Sequence, residues 1–270
     1  MGTSQRHNPS VTGDPNWGQS SQAVTQTAKD VVELESLTSL ETLSNTQIKR
    51  IGILDKRIHR NISKTISRLV KASGGKDNVI GGKSNSFGKR GISYGIGLYD
   101  VFRSISEKGL SAWLESKGHD LRSYNTSEIL DILFDYICEP GTTLDDTAAN
   151  DALRLLFRKI ENEALKLEIS LEKLLKGYPG LDRIRIYIDE FFGNYIYSHL
   201  SQNFTEKLEK EYGIKMTKQI KNEIRRTIIE DIKAGINGKN VSEVDWKGTE
   251  GRMFIEKEFS TILKILMPDD

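Results

Sequence analysis

Apolar residues recur at helical spacing along most of this chain. From Val31 to Leu69, leucines and isoleucines three or four residues apart predict one or two amphipathic helices. Further helical patterns cover Leu110 to Ser116, Ser127 to Ile137, Phe191 to Leu208, Ile220 to Ile232 and Phe254 to Leu266. A strand-like alternation occurs at Ile184, Ile186 and Ile188, but helical patterns surround it. The pattern as a whole predicts a mostly α-helical fold.

A long helix is predicted to begin after Pro140-Gly141. Thr143, with Asp146 three residues later, has the spacing of a capping box. Asp145-Asp146 would then lie in the first turn, where the helix dipole favours negative charge. We expect the helix to follow its apolar stripe, which comprises Leu153, Leu156, Ile160, Ala164, Leu167, Leu171 and Leu174.

Glycine is concentrated between the basic helical pattern and the next helix. The stretch GGKDNVIGGKSNSFGKRG is expected to be a flexible connector, because GGKSN has Asp77 where a P-loop needs its first glycine. Gly88, Gly91 and Gly95 recur at helical spacing and predict a helix that another backbone can approach closely. GISYGIG is not a dinucleotide fingerprint, since Asp100 stands where the final glycine belongs.

The first 30 residues contain no Leu, Ile, Phe or Tyr. Such a stretch cannot bury enough apolar surface to offset its ordering entropy. We therefore predict three parts: a disordered N-terminal tail at 1–30, a basic amphipathic helical segment at 31–73, and a helical body at 86–270.

Charge is balanced overall, with 39 Lys and Arg against 38 Asp and Glu, so any electrostatic signal is local. The basic helix at 49–71 is the marked exception, because Asp55 is the lone acid between residues 45 and 73. Arg57, Arg60 and Lys64 are its candidate nucleic-acid contacts. A solvated face, or docking on an acidic partner, is the alternative interpretation.

Several classes of protein are disfavoured by what the sequence lacks. No apolar run is long enough for a membrane span, and the polar N-terminus has no signal-peptide core, so we expect a cytoplasmic protein. The single cysteine, Cys138, excludes an internal disulfide framework. Four scattered histidines have no zinc-site spacing, and we expect no bound metal.

The remaining reactive or aromatic side chains have simple structural explanations. We expect Asp189-Glu190 to be a solvated face and Cys138 to be a small buried hydrophobe at a helix end. Core or interface packing is also favoured for the aromatic cluster of Tyr187, Phe191, Phe192, Tyr195 and Tyr197. No catalytic constellation is recognisable, which favours a non-enzyme.

The start of the chain is chemically distinctive, because removal of Met1 would expose the α-amine of Gly2. A myristoylation signal needs Ser or Thr at the sixth position, and this chain has Arg6. Lipidation is therefore disfavoured, and other chemistry on the Gly2 amine becomes the sharper hypothesis.

Three stretches resemble the QatB family, the B component of the bacterial Qat anti-phage defence system. They are MGTS at the start, SFGKRGISYGIGLYDVFRSISEKGL, and CEPGTTLDDTAANDAL. The resemblance is clearest over residues 86–155 and the first four residues.

The resemblance implies that the chain is a substrate and partner rather than a catalyst. A QueC-like (QatC-like) enzyme, related to 7-cyano-7-deazaguanine synthase, would attach a 7-deazaguanine group to Gly2. Small side chains at Thr3 and Ser4 would let the terminus enter a narrow site. An ATPase (QatA-like) and a TatD-like nuclease (QatD-like) are the other implied partners. This chain itself is expected to bind no cofactor, with ATP and zinc belonging to the partner enzyme.

A second hypothesis comes from the charge pattern rather than the resemblance. The chain would be a nucleic-acid-binding adaptor of a defence complex that uses the basic helix at 49–71.

Overall fold

The computed structural model describes residues 15–176, 181–237 and 251–268. Within them the chain forms helices and no β-strand, which confirms the predicted fold class. The helices are α1 (Pro15–Thr38), α2 (Asn45–Ala72), α3 (Lys76–Ile80), α4 (Lys89–Lys108), α5 (Leu110–Glu115), α6 (Thr126–Ile137), α7 (Leu144–Leu167), α8 (Leu171–Lys176), α9 (Leu181–Asn237) and α10 (Gly251–Leu266), with one 3-10 turn at Leu121–Ser123. None of the helices in the described residues is long and apolar enough to cross a bilayer.

The first helix shortens the predicted N-terminal tail. Residues 1–14 lie outside the described residues, but α1 begins at Pro15, so the part of the predicted tail from 15 to 30 is helical. Val24, Ala28 and Val31 lie on one face of α1 and are almost completely buried. This stripe is built from valine and alanine, which is why a search for larger apolar residues did not find it.

Helices α1 and α2 form an antiparallel hairpin whose members also contact α9. Ser44 caps α2 in a capping box with Gln47. The buried face of α2 is the predicted one and comprises Leu54, Ile58, Ile62, Ile66 and Leu69. Ion pairs with α1 fix the register, since Arg57 contacts Asp30 while the earlier residue Arg50 contacts the later residue Glu33.

The glycine-rich stretch before α4 is ordered and packed, so the expectation of a flexible connector is wrong. It contains helix α3, and both Val79 and Phe87 are fully buried. Gly88 has a φ of 114°, and a Cβ there would lie 2.3 Å from the carbonyl oxygen of Val79. Glycine here allows a tight turn that carries Phe87 into the core.

Helix α7 starts as predicted but ends earlier. Thr143 and Asp146 form the capping box. Glu168 has left-handed backbone geometry, with a φ of 52°, which ends the helix at Leu167. Leu171 and Leu174 belong to the separate helix α8 and are buried there.

Helix α9 is a hairpin with its break at Gly213. The Arg225 guanidinium donates to Oδ1 of Asn194 at 2.8 Å, and Lys221 donates to Oγ1 of Thr205 at 3.1 Å, so the two arms are antiparallel. Residues 184–188 lie in the first arm, which makes their strand-like alternation helical. The predicted aromatic cluster packs here, and Phe191, Phe192 and Tyr195 are fully buried in it.

Candidate functional site

The two long segments that resemble the QatB family meet where α4 and α7 begin. The Arg90 guanidinium of α4 forms ion pairs with Asp146 in the first turn of α7 and with Glu139 just before it. Ser93 also donates to Glu139, at 3.1 Å. The segments are separated in sequence, and this junction is what joins them.

Asp145 is the centre of this junction and is 1% exposed. Its Oδ1 accepts the hydroxyl hydrogen bond of Tyr195 and lies 2.9 Å from Nε2 of His199. Its Oδ2 accepts the backbone N–H of Arg90 at 2.8 Å. The Tyr195 hydroxyl in turn accepts from the backbone N–H of Gly88 at 2.7 Å. A single buried carboxylate thus holds the start of α4 against α9.

The surroundings of Asp146 and Tyr195 at the junction determine whether each side chain is charged. Burial alone would raise the pKa of Asp146, but hydrogen bonds from Thr143 and the Arg90 guanidinium outweigh it and lower the pKa. Burial and the neighbouring Asp145 raise the pKa of Tyr195 well above its usual range. Asp146 therefore remains a carboxylate and Tyr195 a neutral hydroxyl at physiological pH.

Close helix packing explains the glycines of α4, as the sequence predicted. A Cβ at Gly91 would lie 2.4 Å from Cε1 of Tyr195, and one at Gly95 would lie 2.9 Å from Cγ2 of Ile255. Only a residue without a side chain lets α4 approach α9 and α10 so closely.

Cys138 lies beside the junction, at the C-terminal cap of α6, and is half-buried. Its Sγ is 3.0 Å from Oδ1 of Asn150 and 3.3 Å from the hydroxyl of Tyr94. Burial and the neighbouring thiol raise the pKa of Tyr94. A hydroxyl that holds its proton is no general base for the thiol.

The acidic pair Asp189-Glu190 is buried, so the expectation of a solvated face is wrong. Glu190 accepts from Lys159 at 2.7 Å. Asp189 neighbours the buried Arg185–Glu258 pair, and burial together with Glu258 raises its pKa to about 9. Both acids line a groove between α7 and the arms of α9.

The candidate nucleic-acid contacts of α2 have different environments. Arg57 points to α1 and contacts the buried Asp30 at 2.7 Å. Arg60 and Lys64 are exposed and form no ion pair within the described part of the chain. The helix thus uses part of its charge internally and presents the rest to solvent.

The remaining predicted site residues, Gly2, Thr3 and Ser4, lie outside the described residues. Among those that the structure describes, no group of three or more His, Cys, Asp or Glu side chains is placed to hold a metal ion. Sequence reasoning missed the roles of Arg90, Tyr195 and His199. Asp145 and Asp146 were already explained by the predicted start of a capped helix, and no pattern in the sequence indicated that these two acids are buried.

The comparison with protein families decides the affiliation. A family model described as "Qat anti-phage system associated protein QatB" matches residues 87–266, about two thirds of the chain. The chain belongs to the QatB family. No curated protein and no solved structure matches it. It is therefore a component of the Qat defence system, which implies complexes with other Qat proteins. The match contains the whole α4–α7 junction, whereas α1 and α2 precede it.

Proposed function

We propose that this QatB-family chain is a non-catalytic subunit that docks a QueC-like enzyme and serves as its substrate, with Gly2 as the acceptor. The family membership supports this proposal. That the N-terminal glycine is the target in this system is our expectation. The site of action would be the cytoplasm. An ATPase and a TatD-like nuclease would complete the set of partners.

The number of residues between Gly2 and the folded body supports the proposal. Gly2 precedes Pro15, the first described residue, by 13 positions. A chain spans at most about 3.5 Å per residue, so these positions allow a reach of up to about 45 Å from the start of α1. The enzyme could therefore grip the body at one place while its active site takes the terminus at another.

The chemistry requires only the free α-amine. Its nitrogen would attack an ATP-activated carboxylate on the deazapurine, forming an amide C–N bond as AMP leaves and the amine loses a proton. Addition to a nitrile-level carbon is the other route and gives a related linkage without a leaving group. Thr3 and Ser4 would let the terminus enter a narrow pocket, and ATP and zinc would be bound by the enzyme.

Mass spectrometry of the intact protein and of its N-terminal peptide tests this function. We expect an adduct on Gly2 only when the QueC-like enzyme is co-expressed, and no adduct on Gly2→Pro, whose terminus is a secondary amine. Gly13→Pro is the matched control, since it lies in the same N-terminal segment and leaves the terminal amine intact. An unmodified Gly2 beside an active enzyme would refute the acceptor role.

The exposed face of α2 supports a second candidate function, nucleic-acid binding. Lys56, Arg60 and Lys64 follow one another at intervals of four residues and are all exposed. Because this spacing puts them on one helix face, they could contact successive phosphates. Binding to DNA or RNA should weaken in the Lys56→Ala, Arg60→Ala, Lys64→Ala triple variant, with a salt slope lowered by up to about 3. The matched control replaces the exposed Lys108, Lys257 and Lys264, and equal losses in both variants would exclude the α2 face.

A further inference from the structure

A groove runs between α7 and the two arms of α9, with Glu190 on its floor. Its widest part, about 690 Å³, lies against α7 and is lined by Arg158, Lys159 and Lys166. It continues between the arms of α9 through a part of about 300 Å³, which shares Glu190 and Arg225 with the first. We call this feature the α7–α9 groove. All of its lining residues lie within the span that matches the QatB family.

Positive charge exceeds negative charge in the α7–α9 groove. Six cations and four acids line it, and the raised pKa of Asp189 keeps one of those acids neutral. Arg158, Lys166 and Lys233 form no ion pair with any described residue. The groove therefore carries cations whose charge is available to a ligand.

One end of the groove is an apolar pocket. Its walls are Ile186, Ile229, Ile232 and Ile236, and it adds about 70 Å³. Ile186 is 53% exposed, as is Leu167 at the other end of the groove, so both leave apolar surface open to solvent. Asp189 lines the same pocket and is 93% buried, yet its Oδ1 has no hydrogen-bond partner among the described residues. That oxygen has almost no solvent-accessible surface, so what the pocket offers to a ligand is its exposed apolar surface.

We infer that the α7–α9 groove binds an acidic segment of a partner protein. A large aliphatic or aromatic residue of that segment would fill the isoleucine pocket. Carboxylates on the same segment would contact Arg158, Lys166 and Lys233. Anchor residues in apolar pockets supply most of the affinity of such contacts, while the surrounding charges set specificity and association rate.

The composition of the groove favours a peptide over a nucleic acid. Glu163, Glu190 and Glu230 stand among the cations and would repel a continuous phosphate backbone. A peptide can place its carboxylates beside the cations and its apolar side chain beside the isoleucines. The inference does not depend on Gly2, because every residue that carries it lies in the helical body.

Selection from a phage-displayed library of random peptides on the immobilised full-length protein tests the inference. We expect the selected peptides to be net acidic and to contain a large apolar residue. Fluorescence anisotropy then measures the affinity of the synthesised peptides for the wild-type protein and its variants. Arg158→Glu with Lys166→Glu should weaken binding by at least about tenfold, and Ile186→Ser by at least about threefold.

Matched controls keep the outcome interpretable. Lys257→Glu with Lys264→Glu makes the same charge change at exposed positions of α10 and should leave affinity within about twofold. Gly2→Pro should bind like the wild type, which separates this site from the acceptor role. Circular dichroism verifies that each variant is folded. Failure to select peptides, peptides without acidic bias, or equal losses in the α10 control would overturn the inference.

Discussion

Nε2 of His199 lies 2.9 Å from Oδ1 of Asp145, and both side chains are almost completely buried. The hydroxyl of Tyr195 donates to the same oxygen, while the backbone N–H of Arg90 donates to Oδ2. Two oxygens therefore satisfy three groups from α4 and α9. Because the carboxylate belongs to the first turn of α7, it ties three helices together at one point.

Asp145→Asn should destabilise the fold by about 2 to 3 kcal/mol, since the amide keeps the shape of the side chain but loses one acceptor. At least one buried donor would then have no partner. Urea unfolding at neutral pH measures the change in free energy. Asp151→Asn, an exposed position on the same helix, is the control and should change stability by less than about 0.5 kcal/mol. An equal effect at both positions would contradict a special role for Asp145.

Gly91→Ala should also destabilise, because its Cβ would overlap the ring of Tyr195, which is itself held by hydrogen bonds. We expect a loss of about 2 kcal/mol or more. The matched control is Gly52→Ala in α2, where a Cβ would meet nothing within 4 Å. Alanine there should stabilise the protein by about 0.5 to 1 kcal/mol. Thermal unfolding measures the stability of both variants. Changes in stability of the same sign at the two positions would refute this account.

The capping box of Thr143 and the glycine face of α4 could be predicted from the sequence because each is a local signal at fixed spacing. Local signals also predicted the positions of α2, α5 and α6. The end of α7 could not be predicted in this way. Its apolar stripe continues past Leu167, and only the left-handed turn at Glu168 divides it into two helices.

Burial of charge was the main feature that spacing could not predict. Asp189 and Glu190 look like a solvent-facing pair in the sequence, but their partners Glu258 and Lys159 come from other helices. The first part of helix α1, residues 15–30, was missed for a related reason. Its small apolar stripe becomes a core only when α2 and α9 cover it. Whether these residues are buried depends on which other helices pack against them, and residue spacing along the chain does not show this.

Arg57→Ala should destabilise the protein by about 2 kcal/mol, because it leaves the buried carboxylate of Asp30 without its cationic partner. Arg60→Ala, three residues along the same helix, removes an exposed cation and should change stability by less than about 0.5 kcal/mol. Chemical denaturation compares the two variants. If Arg57→Ala were neutral, the α1–α2 ion pair would contribute nothing measurable to the fold.

His59 should add a pH-dependent term to stability. Its hydrogen bond to Asp231 raises its pKa, against the opposing effect of burial. Because the pKa is higher in the folded protein, the pair stabilises the fold fully at pH values below the unfolded-state pKa of about 6.5. This stabilisation is lost as the pH rises through the folded-state pKa. His59→Gln should therefore lower the free energy of unfolding by about 1 kcal/mol at acidic pH and by less at alkaline pH. The effect is modest because both side chains of the pair are about one-third exposed to solvent. Asp231→Asn should remove the same pH dependence, and a His59→Gln effect independent of pH would argue against the pair.

Asp189→Asn should change stability with pH in the same direction as His59→Gln, but over a different pH window. Burial and Glu258 raise the pKa of Asp189 to about 9, so the folded protein keeps a proton that the unfolded chain releases above about pH 4. Between these values wild-type stability falls with rising pH by up to about 1.4 kcal/mol per unit from this group alone, and the fall ends above the folded pKa. The amide does not titrate, so the variant should gain on the wild type across this window and match it most closely near pH 4. Unfolding free energies measured at intervals from pH 4 to 9 test the prediction. A difference between the two proteins that stayed constant with pH would mean that Asp189 is ionised in the folded state.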